Sequence, residues 1–320
     1  MRMIQEDGMH ALEHVVVLGG GAMGCLFGGF LQKAKCRVTL IDTHSETVEA
    51  IAGRGIVIVD AGSERQITGV AATLDYTAVR DADLVLVLVK SGATAKAVKA
   101  AAPFLSEGVL MLTLQNGLGN VEKLCGSVGA ANVVAGTTGS GATTLGPGHV
   151  RLAGIAETVI GELDGSLSDR IALVRDLFIL AGLPTRVTSS INSVLWTKLL
   201  ANAGINAIAA LTGLRNGEIP ECSEAAALME AAVMEAAAVA KASGVFLNVD
   251  DPVAYVRHVA AMTAGNDASM LQDVRKKRAT EIDAINGEIV RRGEALNVPT
   301  QVNAMLASLV RLREAGYANL

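Results

Sequence analysis

Apolar residues are arranged in two different ways along the chain. Before about residue 190 they form short continuous runs, such as HVVVLG at 14–19 and DLVLVLV at 83–89. Runs of this length without alternation are expected of parallel strands buried on both faces. Further strand-like runs lie at 37–41, 56–59 and 109–114, and helical stretches at 22–34, 47–54 and 93–104 lie between them. Alternation of this kind predicts an open, doubly wound parallel sheet with helices on both faces. The Gly- and Thr-rich stretch 136–165 carries strand-like pieces at 149–152 and 158–161, expected to extend the sheet with partly antiparallel strands. From residue 192 onward the periodicity is almost wholly helical, with long Ala, Leu, Glu and Lys segments. The turn-prone VTSSINS stretch divides the regimes, giving an α/β domain over 14–189 and an all-helical domain over 190–320.

Composition narrows the partners. With 51% hydrophobic and 18% charged residues, the 320-residue chain can bury a sizeable core, which excludes global disorder. A net charge of −5 leaves no basic footprint for nucleic acid, so an anionic ligand must be held by local groups. The mean hydropathy of +0.41 raises the question of a membrane. The run at 84–89 is far shorter than the roughly 20 residues a span needs, and the Ala-rich stretch 225–240 is interrupted by Glu230 and Glu235. Neither is expected to span. Residues 1–13 lack the apolar core of a signal peptide and read as a ragged leader, so a cytoplasmic location is expected. Cys25, Cys36, Cys125 and Cys222 form no CxxC pair, so they read as small apolar residues and no metal site is expected. The small-residue face of the helix over 224–242 points to a homodimer.

Chemistry enters at the first strand-to-helix junction. Gly19-Gly20-Gly21-Ala22-Met23-Gly24 is a GxGxxG motif that follows a buried strand and opens a helix. Gly19 permits the tight turn, Gly21 lets backbone approach a pyrophosphate, and Gly24 lets helix and strand pack closely. The helix N-terminus then offers free N–H groups to the phosphates. The α/β domain is therefore expected to be a Rossmann-type dinucleotide-binding domain. Asp42 ends the second strand, 18 residues past Gly24, where a carboxylate accepts from ribose hydroxyls and repels a 2′-phosphate. Thr43 and His44 follow, with no Lys or Arg before Arg54, so charge favours NAD(H). Lys90 and Gln115-Asn116-Gly117 each follow a strand, at the carboxyl edge where ligands of such sheets bind.

A helix in the second half carries the sharper signal. In LWTKLLANAGINAIAAL, Lys198, Asn202 and Asn206 fall at i, i+4 and i+8, on one face of an otherwise apolar helix. Polar groups so placed need partners in the protein or in a ligand. The five histidines form no obvious catalytic pair, which weakens a histidine-acid dehydrogenase of the lactate type.

GGGAMG, VLVK, QNG, LWTKLLANAGINAIAAL, RNG at 215–217 and ASMLQDVRKKRATEIDAINGEIV together resemble the ketopantoate reductase (2-dehydropantoate 2-reductase) family. The resemblance runs in order from about residue 15 to residue 313. It implies reduction of a small 2-keto acid, 2-dehydropantoate, to pantoate with NADP(H), on the route to pantothenate and coenzyme A. It further implies Lys198 as the general acid. Asn116, Asn202, Asn206, Asn216 and Ser269 become substrate ligands. Lys90 touches the nicotinamide ribose, Asn116 lies at the cofactor–substrate junction, and Glu281 holds Lys198 or a ribose hydroxyl. Two features depart from the family pattern. Asp42-Thr43-His44 replaces the usual basic residue for the 2′-phosphate. Ser269 and Glu281 are 12 residues apart, about 18 Å on a straight helix, so they share a small pocket only if the chain breaks between them. The competing readings are a related hydroxyacid dehydrogenase with another keto acid, and a dinucleotide-binding regulator without turnover.

Overall fold

The computed structural model describes residues 12–319, and most of the leader read at 1–13 lies outside the described residues. The chain divides into two compact units, one of residues 1–115 and 120–191, the other of 116–119 and 192–320.

The first unit runs β1 (His14–Leu18), α1 (Ala22–Lys33), β2 (Arg37–Ile41), α2 (Ser45–Arg54), β3 (Ile56–Asp60), β4 (Ser63–Ile67), β5 (Ala71–Thr73), β6 (Leu84–Val87), α3 (Thr94–Ala101), β7 (Leu110–Thr113) and α4 (Asn120–Val128). It continues with β8 (Val133–Thr138), β9 (Gly141–Gly146), β10 (His149–Gly154), β11 (Thr158–Glu162), α5 (Asp169–Leu180) and β12 (Thr185–Val187). The main sheet has eight strands in the order β12-β11-β8-β7-β6-β1-β2-β5. Neighbouring strands pair in parallel except β11 with β8, so β11 and β12 run opposite to the other six. Every residue of β1, β6 and β7 is buried, because both faces are covered. Val15 and Val17 join the core with Phe27, Leu31 and Phe178, while Val16 and Leu18 join Val98, Met111 and Leu124 on the other face. This is the Rossmann-type, doubly wound sheet.

Two strands expected in that sheet lie elsewhere. β3 and β10 pair in parallel with each other, flanked by β4 and β9, in a separate four-stranded sheet. In IVIVD, Ile56 and Ile58 are buried while the residues between and after them are only half-buried. Ile56, Ile58, Ile67 and Val150 enter the same core as Leu26 and Phe27 of α1, so this sheet covers a helix rather than extending the strands. The place beside β2 is taken by short β5, which the hydrophobic pattern did not announce.

The second unit holds α6 (Ile191–Thr212, which starts one residue inside the first unit), α7 (Ser223–Ala242), α8 (Pro252–Met262), α9 (Ser269–Arg275), α10 (Asn286–Leu296) and α11 (Gln301–Ala315). By length and composition α6 could cross a membrane, but 72% of its most apolar window is buried, and it forms the centre of this unit's core. The small-residue face of α7 packs into that core through Ala225, Ala232, Ala236 and Ala240. These small residues are thus part of the unit's own core.

Candidate active site

The glycine turn is built of backbone. β1 ends and Gly19 turns at φ +108, where a Cβ would lie 2.9 Å from the Val89 nitrogen. A Cβ on Gly24 would lie 1.8 Å from the Gly19 oxygen, so only glycine lets α1 start this close to β1. At Gly21 a Cβ would meet nothing within 4 Å. The N-cap of α1 is Gly21, without a side-chain cap or an acidic residue in the first turn. Open space over uncapped N–H groups fits a dinucleotide pyrophosphate.

Asp42 is bound into the turn. Its Oδ2 accepts from the Gly20 N–H at 2.6 Å, and its Oδ1 accepts from the His44 N–H at 2.9 Å. The His44 Nδ1 also lies 2.8 Å from Oδ1. The carboxylate thus holds the glycine turn against the start of α2 while its side chain stays 14% exposed. Beneath the turn, the Cys25 thiol donates to the Gly20 oxygen, and burial pushes that thiol up to about 12, so it is an inert packing group. All four cysteines are free. No cluster suited to a metal ion occurs among the described residues.

A buried polar network that the sequence did not announce joins the ends of β6 and β7. The Gln115 amide donates to the Val89 oxygen at 2.5 Å and to the Thr94 hydroxyl at 2.8 Å, and Thr113 donates back to Gln115 at 2.9 Å. Thr94 donates to Asn120, Asn120 to Ser91, and the Lys123 ammonium to the Ser91 oxygen. This chain of bonds fixes the loop after β6 that carries exposed Lys90.

The side-chain chemistry lies in the second unit. Lys198, Asn202 and Asn206 lie on α6, with Asn206 buried and the other two half-buried. Burial pushes the Lys198 amine down to about 8, against the opposing pull of the Glu281 carboxylate. Asn116 donates from Nδ2 to Glu281 Oε2 at 3.3 Å. The structure therefore brings together Lys198, Glu281 and Asn116, residues far apart in sequence. The Asn202 amide nitrogen is buried with no hydrogen-bond partner in the protein, a donor left for a ligand.

Gly117 makes the meeting of Asn116 and Glu281 possible. It turns at φ +80, and a Cβ there would lie 2.2 Å from the Ala284 oxygen. Leu118 N–H donates to that same oxygen at 2.9 Å. Backbone contact of this kind leaves no periodic trace in sequence.

Asn216 and Ser269 belong to one loop cluster. The Asn216 N–H donates to the Asn266 oxygen, three residues before exposed Ser269, which opens α9. Asn216 Nδ2 donates to Thr263 at 2.9 Å, while its Oδ1 is buried without a partner. Between Ser269 and Glu281 the chain breaks: α9 ends at Arg275, and Glu281 stands at the start of a 3₁₀ turn, Ile282–Ala284. The 18 Å spacing of a straight helix therefore does not apply.

Comparison with known proteins covers nearly the whole described chain. Residues 15–165 match the family model Ketopantoate reductase PanE/ApbA, and residues 190–314 match its C-terminal counterpart. The 2-dehydropantoate 2-reductase of Halobacterium salinarum is 40% identical over 300 residues, 94% of this chain and 98% of that one. A PanE/ApbA family ketopantoate reductase from Ralstonia eutropha JMP134 superposes with a TM-score of 0.88 at 36% identity, covering 95% of this chain and 99% of the other. D-mandelate dehydrogenase, solved with NADH and anilino(oxo)acetate, superposes with a TM-score of 0.89 at 26% identity over 95% of this chain and 99% of its own.

Proposed function

The chain belongs to the ketopantoate reductase family, and on that premise we propose that Lys198 is the general acid of a 2-keto acid reduction. The protein is an oxidoreductase that converts 2-dehydropantoate to pantoate with a nicotinamide dinucleotide. When bound, the dihydronicotinamide supplies a hydride to the keto carbon. The glycine turn holds the pyrophosphate, Asp42 meets the adenosine ribose, and Lys90 meets the nicotinamide ribose.

As the carbonyl double bond opens, negative charge grows on oxygen. The Lys198 ammonium stabilises that charge by a hydrogen bond and then gives up a proton, leaving a hydroxyl on the product and a neutral amine on the enzyme. Burial favours the neutral amine, and Glu281 holds the proton in place before reaction. An amine near 8 loses its proton readily to a developing alkoxide yet stays charged at neutral pH. Asn116 orients Glu281. Asn202, Asn206, Asn216 and Ser269 bind the polar groups of the substrate, its carboxylate falling to Ser269. The observation that carries this reading is the lysine lowered by burial and countered by one carboxylate on a helix face with an unpartnered asparagine donor.

For the dinucleotide the reading is NADH over NADPH. A carboxylate anchored at the glycine turn repels a 2′-phosphate, and no Lys or Arg lies between it and Arg54. Initial rates with 2-dehydropantoate and a panel of smaller 2-keto acids, each with NADH and NADPH, test both parts. The highest kcat/KM is expected for 2-dehydropantoate with NADH. Faster reduction of another keto acid would move the protein to a sister activity, and NADPH preference would reduce Asp42 to a structural role.

A further inference from the structure

Behind the lysine helix lies a buried polar cluster to which the reaction assigns no part. Asn286 and Asn303 are both fully buried. Asn286 Nδ2 donates to the Ala203 oxygen at 3.2 Å and to Asn303 Oδ1 at 3.0 Å. Asn303 Nδ2 in turn donates to the Ala232 oxygen at 3.0 Å and to Glu235 Oε2 at 2.8 Å. Glu235 also accepts from the Val302 and Asn303 N–H groups, both at 2.9 Å, capping the start of α11. The cluster therefore ties the starts of α10 and α11 to the carbonyls of α6 and α7.

Stability alone does not explain Asn286. Its Oδ1 is buried with no partner, a cost an apolar residue of similar size would not incur. Its Nδ2, by contrast, is aimed at one carbonyl of α6, in the turn between Lys198 and Asn206. Only four residues separate Asn286 from Glu281. Those residues are not one continuous helix: the 3₁₀ turn Ile282–Ala284 ends at Ile285, whose φ −104 and ψ −93 start α10 afresh. Without helical continuity, the position of Glu281 relative to α6 has to be set by fixed points on either side. One is the Leu118 N–H on the Ala284 oxygen. Asn286 is another, and its amide bonds directly to the helix that bears Lys198.

We propose that Asn286 is a positioning residue, whose amide clamps the 281–286 segment to the Ala203 carbonyl and so fixes where Glu281 stands relative to Lys198. It touches no reacting atom and works through Glu281. The inference rests on the reading of Lys198 as general acid with Glu281 as its counter-charge.

The pH profile of kcat tests both layers separately, because kcat falls as Lys198 loses its proton. Glu281→Gln removes the charge that opposes the effect of burial, so the falling limb is expected to move down by about one pH unit. Asn286→Ala leaves Glu281 in the chain but frees its segment, so the limb is expected to move the same way by about half a unit, with kcat down about 10-fold. The double variant is expected to shift no further than Glu281→Gln alone, since both act through one contact. Asn286→Ser keeps a short donor and is expected to lie between wild type and Asn286→Ala; if the alanine variant does not fold, its limb decides. A limb unmoved in the Asn286 variants while Glu281→Gln moves it overturns the positioning role. A limb unmoved by Glu281→Gln overturns the Lys198–Glu281 reading, and this inference with it.

Discussion

The glycine turn of the first unit and the lysine face of the second are built from opposite materials. The turn is backbone: its roles are played by missing side chains, and the Cβ clashes at Gly19 and Gly24 show how little room is left. The lysine face is side chain: α6 is an ordinary buried helix whose backbone would suit many sequences, and the chemistry proposed for it depends on three polar residues and a carboxylate brought from elsewhere. A backbone site is fixed by the fold itself and serves any ligand with the same phosphates. A side-chain site is reprogrammed by single substitutions, and it is there that we propose substrate choice and proton delivery.

Substitutions can separate the two. The largest effect is expected from Lys198→Ala, a loss of about 10²–10⁴-fold in kcat with dinucleotide affinity unchanged, read from steady-state rates beside a fluorescence titration of NADH. Weakened NADH binding in that variant would blur the division. Next comes Gly24→Ala, whose Cβ would stand 1.8 Å from the Gly19 oxygen. Expected are a fall in Tm of several degrees and a parallel loss of dinucleotide affinity, measured by thermal unfolding with and without NADH. Gly21→Ala sharpens the contrast, because its Cβ meets no protein atom. The Tm of the free protein should hold while the NADH Kd rises about 10-fold, worth about 1.4 kcal/mol; an unchanged Kd would mean that no pyrophosphate approaches there. The smallest effect belongs to Asp42→Ala, about 3-fold to 10-fold weaker NADH binding with NADPH less affected. Equal losses for both would leave Asp42 as a brace between the Gly20 and His44 N–H groups.

What was legible in sequence follows the same division. GGGAMG, Asp42 and the i, i+4, i+8 face of α6 are local patterns, with each requirement met within a few residues, so periodicity and spacing expose them. The strand-end network of Gln115, Thr94, Asn120 and Lys123 was hidden because each member is an ordinary polar residue until β6 and β7 lie side by side. The close approach of Gly117 to Ala284 and the bond from Asn286 to Ala203 span 167 and 83 residues, and pairing at that range leaves no periodic signal. The second sheet was misplaced for a different reason. IVIVD is as apolar as a central strand, and only its alternating burial against α1 tells the two apart.

The most direct test of the lysine as proton donor is the pH dependence of kcat in wild type and in Lys198→Ala, with the NADH Kd followed over the same range. Burial lowers the amine to about 8 and the proposed proton donation needs it charged, so wild-type kcat should hold level below pH 8 and fall about 10-fold per unit above it, while Kd stays flat. The residual activity of Lys198→Ala should lack that limb. A wild-type kcat level up to pH 10, or the same falling limb in Lys198→Ala, would remove the amine from the chemistry.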